Sequence, residues 1–260
     1  MQVAPTILAL DFDGVVCDGL IEYFQTAWRT YCQVWSSPSS IVPEDLAATF
    51  YRLRPVIEVG WEMPILLRAL ILEIPEAKIW EDWQAIAQQI LAEDHLSAGD
   101  IGAQLDQIRD EWIAADVDDW LAQHRFYPGV VEKMRSLLAS SVQPIIITTK
   151  EGRFVVQLLQ QQQIQLPEQW IIGKESKRSK QQTLRELLNA STGEVARIWF
   201  VEDRLKTLES VKQQPDLEAV RLYLADWGYN TPAQHASIAD DQSIHLLSLA
   251  QFAEDFSAWT

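Results

Sequence analysis

Asp11 and Asp13 stand two residues apart in Asp11-Phe12-Asp13-Gly14-Val15-Val16-Cys17-Asp18, directly after the apolar run Ile7–Leu10. In extended chain, side chains at i and i+2 point to the same face. A carboxylate pair placed this way at a strand end can divide the work of phosphoryl transfer. One carboxylate attacks phosphorus, as in aspartyl-phosphate chemistry. The other protonates the leaving oxygen and later takes a proton from water. An acid that keeps its proton near neutral pH needs a raised pKa, which burial or a neighbouring anion supplies. Gly14 lets the backbone turn sharply behind the pair. Two aspartates alone would suit a solvated turn capping a helix. Their place after a buried run is what favours chemistry.

Three later segments carry complementary groups. Ile145-Ile146-Ile147-Thr148-Thr149-Lys150 ends an apolar run in hydroxyls, and a strand-end hydroxyl can donate to a phosphoryl oxygen. Thr148 is the candidate by position, with Thr149 beside it as a possible substrate contact. Gly173-Lys174-Glu175-Ser176-Lys177-Arg178-Ser179-Lys180 is a basic cluster in an acidic chain. Lys180 or Lys174 could hold a nucleophilic carboxylate ionised and neutralise phosphate, whereas Lys177 and Arg178 read as a solvated loop. Phe200-Val201-Glu202-Asp203 closes another apolar run with two hard oxygen donors, which suit Mg²⁺.

These groups need elements to position them. Thr6–Leu10, Pro144–Thr148, Gln169–Ile172, Arg197–Val201 and Ala219–Leu224 are short apolar runs without polar alternation, the pattern of strands buried on both faces. Ile244–Leu247 is a candidate sixth strand. Helical patterns at 129–140, 152–163, 180–190 and 204–213 separate the later runs, and 252–259 reads as a terminal helix. Strand–helix alternation predicts an α/β fold with a doubly wound, Rossmann-like parallel sheet. Ligands in such sheets bind beyond the carboxyl ends of the strands, where all four segments lie.

The alternation is interrupted once. Residues 19–124 carry no convincing strand, far more chain than a βα connection needs. Helical patterns run over 21–34, 43–53, 55–72, 79–91 and 101–121, with Pro55 opening one helix and Pro64 ending or kinking it. The expected organisation is an α/β core of residues 1–18 and 125–260 and an inserted all-helical cap domain of residues 19–124.

The chain of 260 residues has a formal net charge of -16, and no basic stripe is visible. Nucleic acid is therefore not an expected partner. No run is long enough for a membrane span. The two cysteines, Cys17 and Cys32, and the absence of a leader pattern read as a reduced, cytoplasmic protein. His95, His124, His235 and His245 have no metal-binding spacing, and the eleven tryptophans read as packing. The oligomeric state is not legible.

With its four motifs in order, the chain resembles the haloacid dehalogenase-like hydrolase superfamily over residues 1–18 and about 125–230. Asp11-Phe12-Asp13-Gly14 is similar to its first motif. The resemblance implies Asp11 as nucleophile, Asp13 as acid and base, and Asp18 as the start of the cap linker. Asp13 is absent from dehalogenase members, so its presence favours phosphate transfer. Thr148 matches the second motif, and Lys180 matches the third better than Lys174. Asp11, the carbonyl of Asp13, Asp203, and Glu202 directly or through water would bind Mg²⁺. Many members carry a further aspartate where this chain has Thr207. The segment Asp226–Pro232 also resembles the superfamily's stretch after its fifth strand. The implied activity is Mg²⁺-dependent hydrolysis of a small phosphorylated metabolite through an aspartyl-phosphate. Arg52 and Arg54 are candidate substrate contacts in the cap, since Arg clamps carboxylate and phosphate well. A phosphomutase would use the same residues, and a catalytically silent binding protein could share the fold.

Overall fold

The computed structural model describes residues 4–36, 42–190 and 196–259. Its strands are β1 (Ile7–Leu10), β2 (Cys17–Asp18), β3 (Arg125–Phe126), β4 (Gln143–Ile147), β5 (Ile171–Ile172), β6 (Ile198–Glu202), β7 (Arg221–Ala225) and β8 (Ile244–Leu247). Six of them form one parallel sheet in the order β5-β4-β1-β6-β7-β8. Chain order therefore reverses direction beside β1, the place where doubly wound sheets open a crevice. Every residue of β1 and of β6 is buried. That explains why both strands are apolar without alternation: each face is covered. On one face Ala9, Ile145, Ile147, Phe200 and Leu224 join a common core. On the other, Trp199 and Tyr223 pack with Phe256 and Trp259.

The helices are α1 (Leu20–Val34), α2 (Leu46–Leu53), α3 (Glu62–Ile71), α4 (Glu76–Glu93), α5 (Ala98–Ala115), α6 (Val117–Leu121), α7 (Val130–Leu138), α8 (Gly152–Gln161), α9 (Lys180–Asn189), α10 (Leu205–Lys212), α11 (Pro232–Ser237) and α12 (Leu249–Ala253). The chain divides into two compact units, Met1–Asp18 with Arg125–Thr260, and Gly19–His124. The second unit is all helical among its described residues and has its own core, including Phe24, Phe50, Leu53, Ile65, Leu66 and Leu105. No described helix is long and apolar enough to cross a membrane.

Several elements depart from the sequence expectation for physical reasons. The pattern over 101–121 is two helices, because Asp116 leaves helical geometry (φ -157°, ψ 90°) and its side chain accepts from the Asp119 N–H to cap α6. Pro64 neither ends nor kinks α3. It sits in the first turn, where its missing N–H has no intrahelical partner to lose. Pro55 opens only a short 3₁₀ turn, Arg54–Val56. The terminal helix expected over 252–259 is instead α12 followed by a 3₁₀ turn, Phe256–Ala258. A reciprocal cap between Ser248 and Gln251 starts the helix early. The two-residue antiparallel ladder of β2 with β3 carries no signal strong enough to be expected, whereas helix α11, outside the sequence expectation, starts at a capping box of Thr231 with Gln234 and has Pro232 in its first turn.

Candidate active site

The Asp11 N–H bonds to the Val201 carbonyl at 2.9 Å, so the first motif leaves β1 against the end of β6. Behind it the chain turns tightly: the N–H groups of Val16 and Cys17 both reach the Phe12 carbonyl. Gly14 takes φ +90° in this turn, and a Cβ there would lie 2.2 Å from Asp203 Oδ2. Only glycine meets both conditions.

Asp11, Glu202 and Asp203 are buried and can each offer one carboxylate oxygen, all within 4.8 Å of one another. Lys180, the first residue of α9, joins two of them. Its Nζ lies 2.8 Å from Asp11 Oδ1 and 2.6 Å from Glu202 Oε2. Ser179 caps that helix through the Gln182 N–H, which fixes where α9 begins and so where the lysine stands. Lys174 is exposed on a 3₁₀ turn, and its N–H bonds to the Lys150 carbonyl at 3.0 Å. Of the two candidate lysines, the structure brings Lys180 to Asp11.

Burial, then the negative charge of Glu202, pushes the Asp11 carboxyl up to about 7 against the opposing pull of Lys180. Burial also raises Glu202, with Lys180 opposing. Burial works against the charge on Lys180, but Asp11 and Glu202 outweigh it and hold the ammonium above the usual lysine range. Both oxygens of Glu202 are engaged, one by Lys180 and the other by the Arg204 N–H at 3.0 Å.

Asp203 is clamped from behind. The Tyr229 N–H donates to its Oδ2 at 2.8 Å, and the Asn230 side-chain amide donates to its carbonyl at 2.9 Å. Gly228 passes so close that a Cβ there would sit 2.2 Å from Asp203 Cβ. Asp13 is half-buried, and its Oδ1 makes an ion pair with Lys150 Nζ at 3.1 Å but no hydrogen bond. Thr148 is buried, and its Oγ1 accepts from the Lys150 N–H at 3.1 Å. That bond uses an oxygen lone pair and leaves the hydroxyl proton available to donate. Thr149 is exposed.

Charge and donor type indicate what the cluster accepts. Asp11, Asp13, Glu202 and Asp203 face Lys150 and Lys180. Four carboxylates gather around two ammonium groups, and a divalent cation would add positive charge to the set. All donors are hard oxygens, as Mg²⁺ prefers. The buried Asp13 Oδ1 has the Lys150 ammonium at 3.1 Å and no hydrogen bond.

The chain matches no family profile and no curated protein sequence. Its structure, however, is similar to a haloacid dehalogenase-like hydrolase from Streptococcus pneumoniae, with a TM-score of 0.57 at 15% identity, covering 94% of each chain. A predicted phosphatase from Clostridium acetobutylicum matches at a TM-score of 0.56 and 12% identity, over 96% of this chain and 97% of that one. Protein Tyrosine Kinase A from Mycobacterium tuberculosis matches at 0.51 and 15%, over 89% and 88%. The chain has the haloacid dehalogenase-like fold. The likeness spans the sheet and the inserted helical unit together, since it covers nearly the whole chain.

Within this fold, the remaining candidates lie in the helical unit. Arg52 pairs with Glu76 at 2.8 Å and with the Thr49 hydroxyl at 3.0 Å. Arg54 donates to the Ile57 carbonyl and lies 5.2 Å from the Tyr23 ring centre. Both are engaged inside their own unit. Cys17 is buried, and burial first, then Asp13, pushes its thiol far above the ordinary value, which fits a packed group and not a nucleophile. Sequence reasoning left two supports of the site without a role: Lys150 on Asp13, and Gly228–Asn230 on Asp203. The similarity of Asp226–Pro232 to the superfamily's later segment was the available signal for the second.

Proposed function

We propose that the protein is a Mg²⁺-dependent phosphomonoester hydrolase that works through an aspartyl-phosphate on Asp11 and takes a small phosphorylated metabolite. The observation that most supports this reading is Lys180 joining Asp11 to Glu202, with Asp203 in ligand reach, at the reversal point of the sheet. Asp11, Asp203 and the Asp13 carbonyl would hold the ion, with Glu202 reaching it through water. When bound, Mg²⁺ supplies the positive charge that offsets the phosphoryl oxygens.

The protein groups divide the remaining work. Lys180 fixes the Asp11 carboxylate and favours its ionised form against burial. Asp11 attacks phosphorus, and the leaving alkoxide takes a proton from Asp13. Asp13 then accepts a proton from the water that cleaves the aspartyl-phosphate, returning Asp11 as carboxylate and releasing phosphate. The Thr148 hydroxyl and Lys180 donate to phosphoryl oxygens as charge shifts outward. Lys150, 3.1 Å from Asp13, fixes the side chain that moves the proton. Thr149 is assigned to the substrate side of the same loop.

We assign residues 1–18 and 125–260 as the catalytic core and residues 19–124 as a cap that selects substrate, with Arg52 and Arg54 as anion contacts. Both arginines would exchange their present partners for substrate. The two free cysteines fit a reduced, cytoplasmic setting.

The test is turnover of p-nitrophenyl phosphate with Mg²⁺ and with EDTA, followed by a panel of small phosphorylated metabolites. Mg²⁺-dependent release of phosphate is expected. A folded protein that hydrolyses no phosphate ester at any Mg²⁺ concentration removes the proposal.

A further inference from the structure

Residues 227–229 grip more than one part of the core unit. The Tyr229 N–H holds Asp203 Oδ2 at 2.8 Å, while the hydroxyl of the same residue donates to Asp18 Oδ1 at 3.0 Å. Tyr127 lies close enough to this hydroxyl to be influenced by it. Asp18 is the last residue before the chain leaves for the helical unit, and Tyr127 stands two residues after it returns. The outgoing and returning strands are joined to each other by the β2–β3 ladder, Cys17 with Phe126 and Asp18 with Arg125. Trp227 adds a third grip: its Nε1 donates to the Val15 carbonyl at 3.1 Å, and its ring stands 6.4 Å from that of Tyr127. Gly228 lies between, pressed against both Asp203 and the Gly14 carbonyl. Tyr229 itself is buried.

We infer that Tyr229 is a positioning residue that links the metal-binding carboxylate Asp203 to the two strands by which the chain leaves and re-enters the core. The inference rests on the proposed Mg²⁺ site and deepens it. One rigid phenol spans the distance between amide and hydroxyl, so the orientation of Asp203 and the order of the β2–β3 crossing rise and fall together. An ion bound at Asp203 would thereby tighten the crossing, and a loosened crossing would weaken the ion. Tyr229 touches no reacting atom in this scheme. Its effect passes through Asp203.

The experiment is Mg²⁺ titration by calorimetry, joined to hydrogen exchange of peptides covering Val15–Leu20 and Arg125–Gly129 with and without Mg²⁺. In the wild type, Mg²⁺ slows exchange in both peptides. Tyr229→Phe keeps the amide and loses the hydroxyl. It is expected to raise the Mg²⁺ dissociation constant about three- to tenfold, the scale of part of one hydrogen bond to a charged group. It should also remove the Mg²⁺ response of the crossing peptides. Asp18→Ala should reproduce both effects, the double variant should be no worse than either single one, and Asp18→Asn, which keeps an acceptor oxygen, should restore wild-type behaviour. Additive effects, or Mg²⁺ binding and peptide protection unchanged in Tyr229→Phe and Asp18→Ala, would overturn the link. A wild type that binds no Mg²⁺ fails earlier and refutes the metal site on which the link is built.

Discussion

Glu22 in the helical unit and Glu202 in the sheet unit are both fully buried carboxylates, and their surroundings differ in charge. Glu22 accepts from Arg109 Nε at 2.7 Å, from the Thr26 hydroxyl at 2.7 Å and from Trp120 Nε1 at 3.2 Å. One guanidinium meets the buried carboxylate there, with the exposed Asp106 as its second partner at 3.6 Å, and neutral donors fill the other positions. Burial works against the charge on Arg109, but Glu22 outweighs it and holds the guanidinium above its ordinary range. Glu202 instead shares its lysine with Asp11 and lies beside Asp203. The first cluster is complete with protein groups alone. The second gathers four carboxylates around two ammonium groups, and burial and the neighbouring carboxylates raise both Asp11 and Glu202. Burial of charge is thus a poor guide to function by itself; the balance of charge inside the burial separates a strut from a site.

That contrast breaks most sharply under substitution. Asp11→Asn should lower turnover by about 10⁶-fold, the scale seen when a covalent nucleophile is removed. The fold should survive, because the change deletes one charge from a cluster with too many of its sign. Arg109→Met should do the reverse. Leaving Glu22 buried without its cation costs about 3–5 kcal/mol of stability, while turnover per folded molecule stays at the wild-type level. Urea denaturation and active-site-normalised rates on both variants check the pair. Equal losses of activity in the two would show that the distinction drawn from charge balance is wrong.

Much of this was readable from residues, and the exceptions share a cause. β1 and β6 are legible because strands buried on both faces must be apolar throughout, and their ends place Asp11 and Asp203. Lys180 was harder. Spacing alone left Lys174 open, and the start of α9, set by the Ser179 cap, brings Lys180 to the carboxylates. Lys150 and Tyr229 needed coordinates, because each acts across more than a hundred residues of sequence, on Asp13 and on Asp18. The β2–β3 ladder escaped for the same reason: two-residue strands have no periodicity to detect. A proline in a helical pattern reads alike as a break or as a first-turn residue, and only the helix start at Glu62 puts Pro64 in the first turn.

A smaller effect sharpens the contrast from the ligand side. At Mg²⁺ a hundredfold above its dissociation constant, binding to the native state alone adds about 2.7 kcal/mol. Wild type and Arg109→Met should gain similar amounts in thermal or chemical denaturation, since the ion meets only the sheet-unit cluster. Asp203→Asn should gain much less. A Mg²⁺ effect that disappears in Arg109→Met and persists in Asp203→Asn would place the ion in the wrong unit.

The smallest effect concerns pH without metal. Asp11 is pushed up to about 7 in the folded protein from an ordinary value of 3.8, by burial first and then by Glu202. The native state therefore keeps a proton that the unfolded chain has already lost between those values. Stability contributed by Asp11 is full below about pH 4 and is lost as pH rises toward 7. The lowered carboxylates Asp94 and Asp241 act at lower pH, because their contributions are present above the ordinary carboxylate value and fade only in acid. His245 runs against Asp11. Burial lowers its pKa, so its contribution grows with pH up to the ordinary histidine value. The difference between wild type and Asp11→Asn cancels His245. In EDTA, wild-type stability should fall relative to Asp11→Asn between pH 5 and 7, and saturating Mg²⁺ should reverse that trend, because the ion binds the ionised carboxylate. Urea midpoints across this interval read the difference directly. A wild type that gains on Asp11→Asn as pH rises in EDTA would mean that Lys180 alone balances the cluster, with no charge left over for an ion.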